Sequence, residues 1–414
     1  MASEKKLADF TLAYYSGDRK TGSVAVVEYR NGESIIKKIG VADESGLDKV
    51  MKPVFVGLTE NQQVIELEPK SKEISIQDAF TADAFPAHIY SDPNSSRDWF
   101  MNDGDKESGN DTLNCGDKGS SVSVVDQTAS ANVKFLKTIC VGRGHHQASF
   151  SYPSDVSPNV PNQAYISNLK DGTVSVIGND PAKSDSYLNV IATIDLCESE
   201  KEKVAGENNA FPHGLVYSKQ SGKAYNLNNG YGTIAIIDPV THQIEGRIEL
   251  KGFSNLFMSP DGRYIIGRGA DRKSDTDHVI AKLAVIDVTT HEIVTRCDLP
   301  DVYISKYYFN PEGRRLYLTT SSKGSPEQVA NLKDGVMLAF DMTALPEIKQ
   351  VAEVAIGASG SLSFLEQGGS TALILSADSA SGGVVVIDGA DHVVLQSLPV
   401  VGEAVAQSRA WLLG

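Results

Sequence analysis

From His213 to Leu250 the chain reads HGLVYSKQSGKAYNLNNGYGTIAIIDPVTHQIEGRIEL, in which short runs of β-branched and aromatic residues are separated by Gly, Asn, Asp or Pro. The runs HGLVYS, KAYNLNN, GTIAIIDP and QIEGRIEL are too short for helices, and their punctuation predicts a meander of antiparallel strands. One such sheet cannot bury both of its faces alone. The pattern must therefore recur along the chain.

It does recur. The third run, a Gly-led stretch of alternating and then continuous apolar residues ending in an acid, is repeated as GSVAVVEY, SSVSVVD, GTVSVIGND, KLAVIDV, GVMLAFDM and GGVVVIDG, at a spacing of about 50 residues in the second half. Inner strands with hairpin turns are expected at FMSPDGRYIIG, YYFNPEGRRLYL and SFLEQGGSTALIL, and outer strands at KFLKTICVG, NVIATIDL, IVTRCDL and QVAEVAIG. The N-terminal runs TLAYYS, GSVAVVEY and SIIKKIGV lack an inner strand, and the C-terminal run AVAQSRAWLL lacks the other three. Pairing of Val405 to Leu413 with the N-terminal sheet would remove the open edges.

The expected fold is all-β, a seven- or eight-bladed β-propeller of four-stranded antiparallel blades. One domain spans residues 1–414, with 41–86 as an irregular blade or an insertion and 104–119 as a long loop. The blade count turns on residues 51–81, where KPVFVGL and QQVIELEP read as strands but SKEISIQDAFTADAF lacks the Gly-led pattern.

Composition narrows the function. A net charge of -15, from 38 Lys and Arg against 53 Asp and Glu, with no basic run, excludes a nucleic-acid surface. No stretch approaches the roughly 20 apolar residues of a membrane span, and the start MASEKKLADFTLAYYSG lacks a secretory core. The expected location is cytoplasmic as written, or periplasmic if a leader has been removed. Cys115, Cys140, Cys197 and Cys297 form no CxxC pair, and Cys140 and Cys297 read as buried thiols within strands.

The eight histidines divide into two groups. His242, His291 and His392 fall in the turn between third and fourth strands, and His278 in a charged loop, where all four are expected to meet solvent. His88 (FPAHIYS), His145 and His146 (GRGHHQASFS) and His213 (FPHGLVYS) instead stand at the start of inner strands in three consecutive blades. Such strands line the channel of a propeller, so these imidazoles are expected to converge as ligands for a transition metal: copper first, with iron, including haem, or zinc as the other candidates. Arg143, Lys306, Asn255, Gln407 and Arg409 lie at equivalent starts and would favour an anionic substrate, with Arg143 and Lys306 as the groups that bind or polarise it. Asp98 and Asp103 are expected to orient His88. No dinucleotide fingerprint, phosphate loop, GxSxG elbow or EF-hand spacing is present.

Through SPDGRYIIG, SGKAYNLNNGYGTIAIIDPVTHQI and the serial V-x-V-I-D strands the chain resembles the YVTN-type β-propeller family, firmly from about Gly172 onward. The HH pair and the Pro-His-Gly start also resemble the metal-bearing propeller of nitrous oxide reductase and, less closely, the haem-binding propeller of dissimilatory nitrite reductase. That resemblance implies a metal held by His88, His145, His146 and His213, with a small inorganic or anionic substrate and a redox partner protein. The later blades carry too few such histidines for the full copper cluster, and no cupredoxin segment is present, so a smaller centre is implied. The expected function is a copper-dependent oxidoreductase. The alternatives are a non-catalytic protein-interaction scaffold and a lactonase-like hydrolase, for which no carboxylate constellation is seen.

Overall fold

The computed structural model describes residues 8–17, 23–39, 47–52, 55–58, 64–68, 73–77, 86–102, 115, 119–126 and 134–412. In chain order the strands begin with β1 (Phe10–Gly17), β2 (Ser23–Arg30) and β3 (Glu33–Ile39), followed by β4 (Leu47–Lys52), β5 (Phe55–Leu58), β6 (Val64–Glu68) and β7 (Glu73–Gln77). Then come β8 (Pro86–Ser91), β9 (Arg97–Asn102), β10 (Ser121–Asp126) and β11 (Lys134–Cys140), and β12 (His145–Ser151), β13 (Gln163–Asn168), β14 (Thr173–Gly178) and β15 (Val190–Asp195). Next are β16 (Pro212–Ser218), β17 (Lys223–Asn228), β18 (Thr233–Ile237) and β19 (Ile244–Glu249), and β20 (Phe253–Met258), β21 (Tyr264–Asp271), β22 (Ile280–Asp287) and β23 (Glu292–Pro300). The last are β24 (Ile304–Phe309), β25 (Arg315–Thr320), β26 (Val336–Asp341) and β27 (Lys349–Ala355), then β28 (Ser359–Gln367), β29 (Ser370–Asp378), β30 (Gly383–Asp388), β31 (Val394–Pro399) and β32 (Gln407–Leu412).

These strands form four-stranded antiparallel sheets, each made from consecutive strands except the first, whose order is β3-β2-β1-β32. Seven have side chains described, and an eighth, β4–β7, is described by its backbone alone. The segment that lacked a Gly-led strand thus still builds four strands, the reading that gives the higher blade count. The closure expected from the two ends is present: β32 pairs with β1 from Leu12↔Leu412 to Gly17↔Gln407.

The chain divides into two compact units. Unit 1 comprises Met1–Asp78, Asp271–Ala281 and Leu299–Gly414, and unit 2 comprises Ala79–Ala270 and Lys282–Asp298. In unit 2, Trp99, Met101, Val122 and Val124 pack on Phe150, Ala164 and Ile166 of the next sheet. In unit 1, Phe10, Leu12, Tyr14 and Val27 pack on Leu375, Val384 and Val386. Middle strands bury both faces, which is why KAYNLN and TIAII are nearly continuous in apolar or small residues. Outer strands bury one face, so EIVTRCDLP alternates. Each fully buried Leu, Val or Phe contributes about 1.5–3 kcal/mol.

A side-chain clasp joins neighbouring sheets within each unit. His242, His291 and His392 adopt positive φ at the turn after the third strand, and each backbone N–H bonds to the carbonyl of the Asp four residues earlier. The rings reach the preceding sheet: His291 Nε2 lies 3.3 Å from the Tyr225 hydroxyl and His392 Nε2 lies 3.2 Å from that of Tyr317. His242 Nε2 meets Gln163 Nε2 at 2.9 Å while Tyr165 donates to Gln163 Oε1, so the amide donates and His242 accepts as a neutral ring. The expectation of simply solvated turn histidines is corrected here. Burial pushes His242 and His392 below the usual imidazole range. His278 is exposed as expected, and the Asp301 carboxylate, 2.7 Å from Nδ1, raises its pKa.

Cys140 is also corrected. It is bonded to Cys115 in a disulfide across a sequence separation of 25, and it is exposed. Cys197 and Cys297 are free and half-buried.

Candidate functional site

Six of the inner strands, β8, β12, β16, β20, β24 and β28, start with the same irregularity. The register slips between Pro86 and His88, between His145 and Ala148, between Pro212 and Leu215, and between Phe253 and Asn255 in unit 2. In unit 1 it slips between Ile304 and Lys306 and between Ser359 and Ser361. Such bulges re-aim side chains at the end of a strand. Counting from the first paired residue of each strand aligns the starts. His146 and His213 share the bulged position with Ala87, Ser254, Ser305 and Gly360, and His88 shares the next one with Gln147, Gly214, Asn255, Lys306 and Ser361. His145 matches Pro212 and Pro86. The four histidines therefore occupy three register positions rather than one, and His146 and His213 are the equivalent pair.

In unit 2 the strands bearing that pair are tied at this end. Gln147, buried on β12, accepts from the Leu215 N–H on β16 through Oε1 at 3.1 Å. β16 in turn approaches β20 so closely that a Cβ on Gly214 would stand 2.6 Å from Leu256 N. His213 is half-buried, and burial together with the Arg268 guanidinium pushes it down to about 4. It is thus a neutral ring at pH 7, able to donate from one nitrogen and accept at the other. Arg268 lies on β21 opposite Asn255. His88 is half-buried, with its ring 6.3 Å from that of Tyr90. The side chains of His145 and His146 lie outside the described residues.

Among the described residues, no group of three or more His, Cys, Asp or Glu side chains is placed to hold a metal ion. Arg143 is exposed and pinned to Asp171, whose oxygens take its Nε at 2.7 Å and its backbone N–H at 2.6 Å. A hollow of about 350 Å³ beside this pair is lined by residues including Cys140, Gly142, Asn168, Asp171 and Thr173. Asp98 pairs with Ser91 whereas His88 pairs with Met101, so Asp98 stands three residues, about 10 Å, along the hairpin from His88 and does not orient it. Asp103, most of the 104–119 loop and the Gln407 side chain lie outside the described residues.

Sequence reasoning passed over several residues at this end. Gln147 follows the HH pair directly, and Arg268 sits within IIGRGAD. A row of asparagines closes the second strands: Asn102 donates to Ser121 and Ser123, Asn168 to Thr173 and Ser175, and Asn228 to Thr233. The signal was there, in the final Asn of RDWFMN, QAYISN and KAYNLN.

No family model matches the chain, and no curated protein does. Among solved structures it is similar to AztD from Citrobacter koseri, at 12% identity and a TM-score of 0.56 over 97% of this chain and 98% of that one. The periplasmic gluconolactonase PpgL of Pseudomonas aeruginosa is similar at 13% identity and a TM-score of 0.55, over 97% and 99% of the two chains. Kuenenia stuttgartiensis hydrazine synthase is similar at 16% identity and a TM-score of 0.50, over 76% of this chain and 79% of that one. The chain is a β-propeller. At these identities the likeness speaks for the fold of this propeller, and its chemistry rests on its own residues.

Proposed function

We propose that this propeller binds a transition-metal ion at the inner-strand starts of unit 2 and acts there on a small anionic molecule as an oxidoreductase. His146 and His213 are the first pair of ligands, with His88 and His145 completing the set. The observation that carries this reading is the equivalence of His146 and His213 on adjacent bulged strands tied by the Gln147–Leu215 hydrogen bond. His213 is a neutral ring at pH 7, so it offers a nitrogen lone pair to a metal without first losing a proton. Imidazole donors suit copper, iron or zinc, with copper first by the affinity order. Such a metal would supply the Lewis acidity or the electrons. The protein's part is to hold the rings, to exclude water with Leu215 and Leu256, and to attract the anion through Arg143 and Arg268.

The disulfide supports an oxidising, extracytoplasmic location, since such bonds are rare in the cytosol. Metal analysis of protein loaded with copper, zinc or iron and then freed of loose ion tests the proposal. A near-stoichiometric ion that falls at least tenfold in H146A and in H213A supports it. No retained ion, or retention unchanged in both variants, overturns it.

A second reading is favoured by Arg268. A guanidinium beside His213 opposes a cation, so the same end would bind an organic anion by hydrogen bonding without metal. Lactones and sugar acids are the first compounds to screen for it, given the gluconolactonase among the similar structures. Binding that survives chelation and is lost in R268M supports this second reading over the first.

A further inference from the structure

The hollow beside Arg143 and Asp171 is built from one face of the β12–β15 sheet and from the segment that joins β11 to β12. On that sheet Asn168 pairs with Thr173, and Ser175, two residues on, pairs with Thr193, so all four side chains project from one face. Thr193, Val190 and Cys140 are exposed and form the rim of the hollow, whereas Asn168 and Ser175 are buried at its floor. It is thus open to solvent at one end and lined by buried polar groups at the other.

The hydrogen bonds at the floor are incomplete. Asn168 is wholly buried, and its Nδ2 donates to Thr173 Oγ1 at 3.0 Å and to Ser175 Oγ at 2.9 Å, which uses both amide hydrogens. Its Oδ1 has no hydrogen-bond partner among the described residues. Gly142 lies against this amide, since a Cβ there would stand 2.5 Å from Asn168 Cγ, and so holds it in place. Thr173 and Ser175, having accepted from Asn168, each keep a hydroxyl hydrogen, for which the described residues supply no acceptor. Asn102 makes the same two donations in the preceding sheet, so the amide itself belongs to the construction of a blade. The hollow is what gives Asn168 a route to a ligand. A buried carbonyl left unpaired is costly, and a ligand that donates to it recovers that cost.

Charge does not select the ligand. Asp171 is the one charged side chain among the residues lining the hollow, and its oxygens already accept from Arg143 Nε and the Arg143 backbone N–H. Val141, Val190 and the half-cystine Cys140 make part of the wall apolar. One missing donor and two missing acceptors on a single face, beside an apolar wall, match a molecule whose polar groups each donate and accept and whose skeleton is carbon. A ring bearing adjacent hydroxyls has that chemistry. The volume of about 350 Å³ stands near the lower end of the range for small-molecule sites, roughly 300–1,000 Å³, which suits a single ring.

We propose that this hollow binds a neutral cyclic polyol, a single sugar or cyclitol ring. One ring hydroxyl donates to Asn168 Oδ1, a neighbouring one accepts from Ser175 or Thr173, and the C–H face of the ring rests on Val190 and the disulfide. The site uses neither the histidines nor Arg268.

Titration by calorimetry and by saturation-transfer NMR, with D-glucose and with myo-inositol as probes, tests the proposal. For a ligand of this size the expected Kd is about 1–10 mM. T193W, at an exposed position whose indole would fill the hollow, should weaken binding at least tenfold. S175A removes one donor and should weaken it about fivefold. Because Cys140 lines the hollow, a bound probe should slow reduction of the Cys115–Cys140 bond by dithiothreitol in wild type and not in T193W. Glucose bound and inositol refused assigns a sugar; the converse assigns a cyclitol. The proposal is overturned if wild type binds neither probe up to about 50 mM, if T193W binds with unchanged affinity, or if the bound probe leaves the reduction rate unchanged. Metal content in T193W should match wild type, which separates this result from the reading built on the histidines.

Discussion

Replacing Cys115 and Cys140 together by alanine tests the staple that holds the 104–119 loop to β11. The bond closes a loop of sequence separation 25. With loop entropy of −2.1 − 1.5R ln n cal/mol/K, that loop contributes about 3.5 kcal/mol at 25 °C by restricting the unfolded chain. Cys140 is exposed and Cys115 only half-buried, so alanine leaves no cavity and the packing loss is small beside the loop effect. Urea unfolding followed by tryptophan fluorescence suits the measurement, because Trp99, fully buried on β9 two strands from β11, reports on the same sheet. The C115A/C140A protein should unfold at lower urea, with a stability loss of about 3–4 kcal/mol. Wild type denatured without reductant should present two reactive thiols, Cys197 and Cys297. Four thiols, or a double variant within about 0.5 kcal/mol of wild type, would refute the reasoning.

Three further outcomes are expected. His213 falls to about 4 in the folded state, below the ordinary 6.5, so the unfolded chain binds more protons between those values. Stability is then full above pH 6.5 and declines by about 3 kcal/mol down to pH 4, a slope that H213Q should flatten in urea titrations at stepped pH. Lys306, depressed to about 7, works over a higher window: its contribution is full above pH 10.5 and lost as pH falls to 7. K306M should therefore gain on wild type by up to about 5 kcal/mol between pH 10.5 and pH 6, and an unchanged difference across that range counts against the burial of the amine. Y225F removes the hydroxyl that meets Ser221 and His291, and should cost about 1 kcal/mol by thermal or urea unfolding. An equal loss in the Y225F/H291A double variant and in H291A alone would locate that cost in the clasp.

The blade pattern was legible because it is dictated locally. PHGLVYS, KAYNLN, TIAII and IEGRIE became β16 to β19 with boundaries shifted by a residue or two, since alternation and turn chemistry suffice to place a strand. The pairing of Val405–Leu413 with the first sheet was legible for a similar reason, as each end lacked what the other supplied. The register of the candidate site was not. FPAH and FPH look alike as strings, yet Pro86 and Pro212 hold the same register, opposite Asn102 and Asn228, so the extra Ala87 puts His88 one position beyond His213. Bulge geometry depends on the neighbouring strand, which a single stretch of sequence does not carry. The Tyr–His clasps were hidden likewise. DPVTH and DVTTH read as ordinary turns, and only the packing of one sheet on the next brings His291 to Tyr225. Cys115 and Cys140 lack a CxxC spacing, so their bond depends on the path of the 104–119 loop.

The pairing of β32 with β1 also has a consequence for how the protein is made. The sheet of β1, β2 and β3 lacks its fourth strand until β32 has left the ribosome, about 400 residues later, which at ordinary synthesis rates is roughly 20–80 s. Throughout that interval β1, the apolar segment FTLAYYSG, presents an unpaired edge to the cell. An edge of that kind templates association with other nascent chains. Production of this propeller should accordingly depend on a chaperone or a fast exit from crowded polysomes. A version permuted so that β32 precedes β1 should escape that dependence, with a higher soluble yield at equal expression.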